Sequence, residues 1–342
     1  MKGAIEERDK MEAKYKKVLT VSVAAYNVAV YIEQCLQPFA QDGVKERIEV
    51  LVVDDGGTDR TAEIAAKYQA QYPETIKVVH KENGGWGSTV NKAISLANGK
   101  YFKQLDGDDY FDKDNLILFL DELEKTDADI ILSPFVTFIS DTGERVKKTD
   151  PIEKFEAKPY KVYNLTDLKE NVNIAMHQCT FKTVNLKENN IHLLENAFYT
   201  DVELVTKALY YSETVCMFPY IIYHYRVMRD GQSWSIDGMR KHYKEHEKVI
   251  FRIADFLKTM PKTSGYGLAF QRLKEMIYYQ YYFYWHLKPS IIHQKELRIF
   301  DATMKNDYPE LYALDSRKVR VLRSCHFILY LPLALLNWKK SK

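Results

Sequence analysis

The sequence predicts an α/β domain built on a doubly wound, mostly parallel sheet, with an antiparallel addition and a C-terminal helical region. Two observations carry this prediction. Short apolar runs rich in β-branched residues alternate with helical stretches in units of roughly 25 to 30 residues, and the pattern beyond His242 is helical. Because such alternation implies right-handed crossovers between parallel strands, ligands are expected at the carboxyl ends of the strands.

Four strands are predicted in the first third of the chain. Each is a continuous apolar run, which is typical of a parallel strand buried on both faces. They are residues 18–25, 48–53, 76–80 and 101–105. The helices predicted between them begin at a Thr/Asp cap or a glycine-rich turn where the sequence supplies one. They are residues 30–40, 58–71 and 89–97.

The middle of the chain predicts further strands. Residues 129–140 resume strand character, and Asp141-Thr142-Gly143 is typical of a hairpin turn into 144–148. We expect this hairpin to be the antiparallel addition. Residues 201–210 are predicted as a helix and 217–225 as an aromatic strand.

Charge and cysteine usage exclude two classes of function. With 49 Lys and Arg against 47 Asp and Glu, the formal charge of +2 provides no general field for nucleic acid. The cysteines are far apart and lack Cys-x-x-Cys spacing, which argues against zinc and predicts buried thiols in a reducing compartment. They are Cys35, Cys179, Cys216 and Cys325.

Both ends of the sequence bear on localisation. Residues 1–17 are predicted as a charged helix and lack the apolar segment of a secretory signal, so we expect a cytoplasmic protein. The apolar segment 326–338 is too short to span a membrane, which needs ~20 residues. Because it ends in Trp338 followed by lysines, it is either an anchor on the inner face of the membrane or a helix packed on the domain. Peripheral membrane contact through 326–342 stays open.

The most informative segment is 103–111, which reads Lys-Gln-Leu-Asp-Gly-Asp-Asp-Tyr-Phe. It places Asp106, Asp108 and Asp109 where the fourth predicted strand ends. Carboxylates crowded together repel one another unless a cation lies among them, so the segment indicates a hard, oxygen-preferring metal. A solvated acidic turn is the alternative, because Asp is common in turns.

Three motifs, taken in order, resemble those of the family 2 glycosyltransferases, which have the nucleotide-sugar-binding GT-A fold. They are Val-Val-Asp-Asp-Gly-Gly-Thr-Asp-Arg-Thr (52–61), Asn-Gly-Gly-Trp-Gly-Ser-Thr-Val-Asn-Lys-Ala-Ile (83–94) and Leu-Asp-Gly-Asp-Asp-Tyr-Phe (105–111). The resemblance covers residues 18–235, which we interpret as the catalytic domain. Residues 236–342 are then a C-terminal helical region for contact with membrane or acceptor.

The resemblance implies a site for a nucleotide-sugar donor. Asp55 would accept a hydrogen bond from the base and Tyr26 would pack on it, whereas Ala24 stands where the family commonly has Pro and would contribute only its backbone. An arginine fork suits a diphosphate. The further residues assigned to the donor by the resemblance are Gly85, Asn91, Asp106, Arg226 and Arg229.

The resemblance also implies the metal and its ligands. Asp108 would bind Mg²⁺ or Mn²⁺ directly, Asp106 would face both the ribose and the metal, and Asp109 would lie behind them. The metal would neutralise charge on the departing nucleoside diphosphate. His177 either borders the acceptor or is a hydrogen-bonded core residue, and the second is expected because a lone histidine is more often one.

A catalytic base for the acceptor hydroxyl is implied at the start of a helix, and we assign Asp201. The family's usual Glu-Asp pair reads Thr200-Asp201 here, which leaves Glu203 and Glu195 as rivals. A helix N-cap is the alternative role for Asp201.

The implied activity is metal-dependent, inverting transfer of a single sugar from a nucleotide donor, expected to be UDP-linked. The acceptor would be a hydroxyl of a glycan or lipid-linked saccharide in cell-surface polysaccharide synthesis. The sequence lacks Gln-x-x-Arg-Trp, which disfavours a processive synthase. A sugar-nucleotide pyrophosphorylase is disfavoured because residues 26–31 are not a glycine- and basic-rich loop. A non-catalytic glycan-binding or scaffolding module is the alternative from another class.

Overall fold

The computed structural model describes residues 15–168, 173–228, 235–313 and 316–340. Its strands are β1 (Lys17–Ala25), β2 (Ile48–Asp54), β3 (Ile76–His80), β4 (Gly99–Asp106), β5 (Tyr110–Phe111), β6 (Ile130–Leu132), β7 (Phe135–Ile139), β8 (Arg145–Thr149), β9 (Val162–Asn164), β10 (Cys179–Lys182), β11 (Thr214–Met217) and β12 (Tyr223–Val227).

The α-helices alternate with the first strands and then fill the C-terminal region. They are α1 (Ile32–Leu36), α2 (Thr61–Gln71), α3 (Trp86–Leu96), α4 (Lys113–Leu123), α5 (Pro151–Phe155), α6 (Thr183–Glu188), α7 (Thr200–Tyr210), α8 (Ile236–Thr259), α9 (Tyr266–His286), α10 (Ile291–Asp307), α11 (Pro309–Tyr312), α12 (Arg317–Ser324) and α13 (Tyr330–Lys340). The helix predicted over 1–17 falls mostly on residues 1–14, which lie outside the described residues, and Lys17 already belongs to β1.

The main sheet has the strand order β3-β2-β1-β4-β10-β6-β11-β9. Strands β1 to β4 are parallel to one another, which confirms the doubly wound arrangement predicted from alternating apolar runs. Every residue of β2 is buried, as expected for a strand covered by helices on both faces. Strand β10 is antiparallel to both β4 and β6. The carboxyl ends of β1, β2 and β4 therefore share one edge.

A second, smaller sheet has the order β5-β12-β7-β8. The predicted hairpin is present there, because β7 and β8 are antiparallel and Gly143 between them has a φ of +69°. Such a φ favours glycine, since a Cβ is strained in the left-handed region.

Two segments predicted as single strands are each divided between the sheets. Residues 129–140 contain β6 of the main sheet and β7 of the smaller one, and 217–225 contain the end of β11 and the start of β12. A proline lies at each division, Pro134 in the first segment and Pro219 in the second. Proline has no N–H for a strand ladder, so the pairing stops and the chain crosses to the other sheet.

The C-terminal helices share a hydrophobic core with the sheet domain. Buried residues of one continuous cluster come from the sheet (Phe102), from α7 (Leu204) and from α8 and α9 (Ile253, Tyr281). Within the described residues, no helix combines the length and apolarity that a bilayer span requires. Cys35, Cys179 and Cys216 are buried as predicted. Cys325 is only partly buried because it lies at the end of α12 near the surface.

A buried histidine joins two of these helices and makes stability depend on pH. His246 on α8 is almost fully buried, and its Nδ1 lies 2.7 Å from Gln280 Oε1 on α9. Burial lowers the pKa of His246 from 6.5 to about 4. The unfolded chain therefore binds a proton between these two pH values that the folded chain does not.

We expect His246→Gln to weaken this pH dependence. Lowering the pH from about 7.5 to about 5 should reduce the free energy of unfolding of the unmodified protein by about 2 kcal/mol through this residue alone. Urea unfolding at both pH values would measure the difference between the two proteins. An identical loss in the His246→Gln protein would show that the residue does not titrate in this way.

Candidate functional site

The ends of three parallel strands are joined by backbone hydrogen bonds. Register places Ala24 of β1 beside Val53 of β2 and Asp106 of β4. Gly107 N donates to Ala24 O over 2.9 Å, and Asp55 N donates to Ala25 O over 2.9 Å. The backbone of Ala24 thus fixes the acidic loop. The neighbouring Tyr26 is 51% exposed, so its ring is available to a ligand at this edge.

Asp55 organises the glycine-rich turn. Its buried carboxylate accepts hydrogen bonds from Lys81 Nζ at 2.7 Å and from the backbone N–H groups of Gly84 and Gly85 at 3.0 and 2.8 Å. Only the Gly85 bond uses Oδ2, and a carboxylate oxygen can accept two hydrogen bonds. Asp55 therefore holds the turn and retains capacity for a ligand donor at Oδ2.

The glycine-rich turn carries Trp86 to the acidic loop. Gly85 has a φ of +78°, and a Cβ on Gly84 would lie 2.7 Å from Ser88 Oγ, so both positions favour glycine. Immediately after the turn, Trp86 Nε1 donates to Asp106 Oδ1 over 2.6 Å. The sequence motif did not predict that Trp86 binds Asp106, because this bond depends on the position of α3 relative to the end of β4.

Asn91 binds the segment that precedes α7. Its Nδ2 donates to Leu193 O and Glu195 Oε1, both at 3.0 Å, and its Oδ1 accepts from Leu193 N at 2.8 Å. Asn91 lies one and a half turns into α3, and through these bonds it holds the segment before α7 against that helix. Its predicted contact with the donor stays a prediction.

Asp109 is the most buried member of the acidic cluster. Its Oδ2 accepts from Tyr223 Oη at 2.7 Å and its Oδ1 from Arg226 N at 2.7 Å. Burial, reinforced by the neighbouring charges of Asp108 and Asp106, raises the pKa of Asp109 well above its usual range. Crowding and burial therefore favour the neutral form of Asp109 unless a cation lies among these carboxyl groups.

His177 joins this cluster, contrary to the expectation of an ordinary core histidine. Among the described residues, ligand atoms of Asp106, Asp109 and His177 lie within 4.8 Å of one another and could hold a metal ion. Within the part of the chain that the structure describes, His177 Nδ1 is buried without a hydrogen-bond partner. Burial lowers the pKa of His177 to about 3, so its imidazole is neutral, as a metal ligand must be. No spacing in the sequence indicates this residue, which follows Asp106 by 71 positions.

The predicted metal ligands overlap this group only at Asp106. Asp108 is buried on the same loop but is not one of the three grouped residues. Asp109, expected behind the metal, is one of them. Carboxylate oxygens and a neutral imidazole form a donor set that suits Mn²⁺ and is compatible with Mg²⁺ at the carboxylates.

Arg226 supports the backbone of the acidic loop. Its Nε donates to Asp108 O at 2.7 Å and its Nη2 to Gln34 Oε1 at 2.6 Å. The buried guanidinium also lies 4.5 Å from the ring of Tyr31. This placement gives Arg226 a supporting role, and its predicted contact with a diphosphate stays a prediction. Arg229 lies outside the described residues.

Asp201 lies half-buried in the first turn of α7. Burial raises the pKa of its carboxyl group, although the positive charge of Arg272 opposes this change. Burial is also the main reason that the pKa of Tyr225 is raised, and the charges of Asp201, Asp106, Asp108 and Asp109 all add to it. The phenol of Tyr225 therefore lies within electrostatic range of both acidic parts of the site.

The rivals of Asp201 have structural partners. Glu203 is fully buried, with Oε1 2.6 Å from Lys207 Nζ and Oε2 accepting from Leu194 N at 2.8 Å. Glu195 is partly exposed and accepts the hydrogen bond from Asn91. An ion-paired, fully buried Glu203 is poorly suited to take a proton from an incoming hydroxyl. The geometry favours Asp201.

The C-terminal helices hold the loop before Asp201. Phe198 N donates to Glu245 Oε2 on α8 at 2.9 Å, and the rings of Phe198 and His242 lie 3.8 Å apart. Tyr199 ends the loop with a φ of +66°, a strained value for a residue with a Cβ. Helix α8 thus fixes the entry into α7.

The chain is similar to known glycosyltransferases. Residues 20–187 match the family model described as Glycosyl transferase family 2. The minor teichoic acid biosynthesis protein GgaB of Bacillus subtilis (strain 168) is 27% identical over 256 residues, covering 72% of this chain and 27% of that protein. The uncharacterized glycosyltransferase MG025 of Mycoplasma genitalium is 30% identical over 211 residues, covering 55% of this chain and 66% of that protein. The chain thus spans at most about two thirds of these relatives' length.

A solved structure shares the fold. The fragment 1–349 of S. aureus TarS, in complex with UDP-GlcNAc, superposes with a TM-score of 0.68 and 21% identity. The match covers 95% of this chain and 90% of that fragment. It confirms the predicted fold class, including the C-terminal helices.

We expect Glu203→Ala to destabilise the protein by about 3 kcal/mol, because it leaves Lys207 buried without its carboxylate partner. Urea unfolding would measure the loss. Glu195→Ala is the matched control and should change stability by less than about 0.5 kcal/mol. Equal effects of the two substitutions would contradict the structural role assigned to Glu203.

Proposed function

This chain belongs to glycosyltransferase family 2, and we propose that it is a metal-dependent, inverting transferase that moves one sugar from a UDP-linked donor. The acceptor is a hydroxyl of a glycan or lipid-linked saccharide in cell-surface polysaccharide synthesis. The observation that carries the proposal is the acidic cluster at the end of β4, where ligand atoms of Asp106, Asp109 and His177 lie within 4.8 Å of one another. It is joined by Asp201, a second carboxylate whose pKa is raised by burial and whose charge, like those of the cluster, acts on Tyr225. The acidic cluster suits stabilisation of the leaving group, and Asp201 suits deprotonation of the attacking hydroxyl.

The names of similar proteins support the choice of donor and pathway. TarS is in complex with UDP-GlcNAc, and GgaB is named for minor teichoic acid biosynthesis. In this chain, the exposed ring of Tyr26 and the remaining acceptor capacity of Asp55 Oδ2 suit a planar base with a ring N–H. Uracil has such an N–H, which supports UDP.

The donor's diphosphate would lie at the acidic loop, where Asp106 and Asp108 are proposed as metal ligands. His177 and Asp109 are close enough to Asp106 to contribute further ligand atoms. A bound Mg²⁺ or Mn²⁺ would neutralise the charge that develops on the departing nucleoside diphosphate. Trp86 fixes the orientation of the Asp106 carboxylate through its indole N–H, and Tyr223 does the same for Asp109.

Asp201 is proposed as the general base. A carboxylate with a raised pKa is a stronger base, so it takes the proton of the acceptor hydroxyl more readily as that oxygen attacks the anomeric carbon. Attack from the face opposite the leaving diphosphate inverts the anomeric centre. Because α8 holds the loop before α7, the position of Asp201 is set by the C-terminal region.

We expect Asp108→Asn to lower UDP release from a UDP-sugar in the presence of Mn²⁺ by at least about 100-fold, because metal stabilisation of the leaving group contributes several kcal/mol. Calorimetric titration should show weakened Mn²⁺ binding with an unchanged melting temperature. Asp114→Asn, at an exposed position on α4, is the control and should keep both properties. Full activity of the Asp108→Asn protein would refute the metal assignment. Donor binding by the unmodified protein without any turnover would favour the non-catalytic module.

We expect Asp201→Asn to lower kcat by about 100- to 10,000-fold while donor affinity stays within about twofold, as for loss of a general base. In the unmodified protein, activity should fall on acidification at a higher pH than an ordinary aspartate would give, because the base works deprotonated and its pKa is raised. Steady-state kinetics against pH and donor binding by calorimetry would measure both effects.

Glu195→Gln serves as the control for the base and should keep kcat. Loss of donor binding in the Asp201→Asn protein would instead make Asp201 a donor-site or structural residue. An acid limb that persists unchanged in the residual activity of Asp201→Asn would assign that limb to another group.

A further inference from the structure

We propose that the groove between α12 and α13 is a docking surface for an anionic membrane. The groove is lined by apolar side chains together with two cations. The lining residues are Arg317, Lys318, Val321, Leu322, Leu329, Pro332, Leu333 and Leu336. This inference is separate from the transfer chemistry, because none of these residues contacts the acidic cluster or Asp201.

Helix α13 is apolar on two faces, and only one of them is used inside the protein. Tyr330 and Ala334 are fully buried, and Tyr330 Oη donates to Tyr284 O of α9 at 3.1 Å. On the other face, Leu335 and Leu336 are 45% and 60% exposed. Packing on the domain therefore explains the inner face of the helix and leaves the outer leucines in contact with water.

The chain around the groove adds to this exposed apolar surface. Ile328 is 67% exposed and Leu329 is 47% exposed, just before α13 begins. Val321 on α12 is 46% exposed. Contiguous exposed apolar side chains of this kind mark interaction surfaces in soluble domains.

The positive charge of residues 316–342 indicates an anionic partner. Residues 316–342 contain seven Lys and Arg and no Asp or Glu. Arg317, Lys318 and Lys339 are exposed at the groove and at the end of α13. Arg323 is turned inward, where its Nε donates to Asp301 Oδ1 at 2.7 Å.

An anionic lipid surface matches this arrangement better than a second protein copy does. Apolar side chains flanked by cations allow a helix to lie in the interface, with leucines among the acyl chains and lysines at the phosphates. A second copy would bring the same uniformly positive charge against itself, which costs energy. The charge complementarity therefore points to the membrane.

The test uses the full chain and sedimentation with vesicles of phosphatidylcholine alone or of phosphatidylcholine and phosphatidylglycerol in equal amounts. We expect binding to the anionic vesicles only, weakened by salt. Leu336→Glu should weaken binding by at least about tenfold through lost apolar burial. Arg317→Gln should weaken it by about fivefold, as expected for one cation at such a surface.

Leu118→Glu is the matched control, because Leu118 is a 46% exposed leucine on α4, far from the groove in sequence. It should leave vesicle binding unchanged. Release of UDP measured without vesicles should be the same in the Leu336→Glu and unmodified proteins, so a failure of the proposed activity is distinguishable from a failure of docking.

Four results would overturn the proposal. The first is no sedimentation with anionic vesicles, the second is equal binding to neutral vesicles, and the third is an equal loss of binding with Leu118→Glu. The fourth is a concentration-dependent dimer, seen by light scattering, that Leu336→Glu abolishes, because the groove would then belong to a second copy.

Discussion

The confinement of three carboxylates at the end of β4 is the constraint on which the rest of the site depends. Like charges in a buried loop repel one another, and the structure opposes this with donors from separate elements. Trp86 reaches Asp106 from α3, whereas Tyr223 and the backbone of Arg226 reach Asp109 from β12. The main sheet supplies the acids and the smaller sheet supplies much of their support.

The C-terminal helices also support residues of the site. Helices α8 and α9 share a core with the sheet domain, and α8 binds the loop that leads to Asp201. The proposed base therefore depends on residues that lie beyond the matched family segment 20–187. A catalytic domain that ended near residue 235 would leave Glu245 and the partners of Phe198 out of the molecule. The C-terminal helices thus pack on the sheet domain, and the domain boundary suggested by the sequence motifs stays a prediction.

Local patterns predicted much of the fold and part of the site. The apolar runs of β1 to β4 and the glycine turn at Gly85 were predictable because burial and a positive φ each restrict the residue types that fit. The divided strands were not predicted, although Pro134 and Pro219 carried the signal. His177 and the structural use of Arg226 could not be predicted, because they arise from residues far apart in sequence meeting in three dimensions. The choice of Asp201 over Glu203 as the candidate base depends on burial and ion pairing, which no sequence motif reveals.

The bonds of Asp55 have a thermodynamic consequence for ligand recognition. Since Lys81, Gly84 and Gly85 already satisfy much of this carboxylate, the glycine turn is ordered before any donor arrives. The conformational entropy needed to order this turn is lost during folding. It therefore does not reduce the affinity for a ligand. Preorganisation of this kind lets a small set of polar contacts select a ligand without a large rearrangement of the loop.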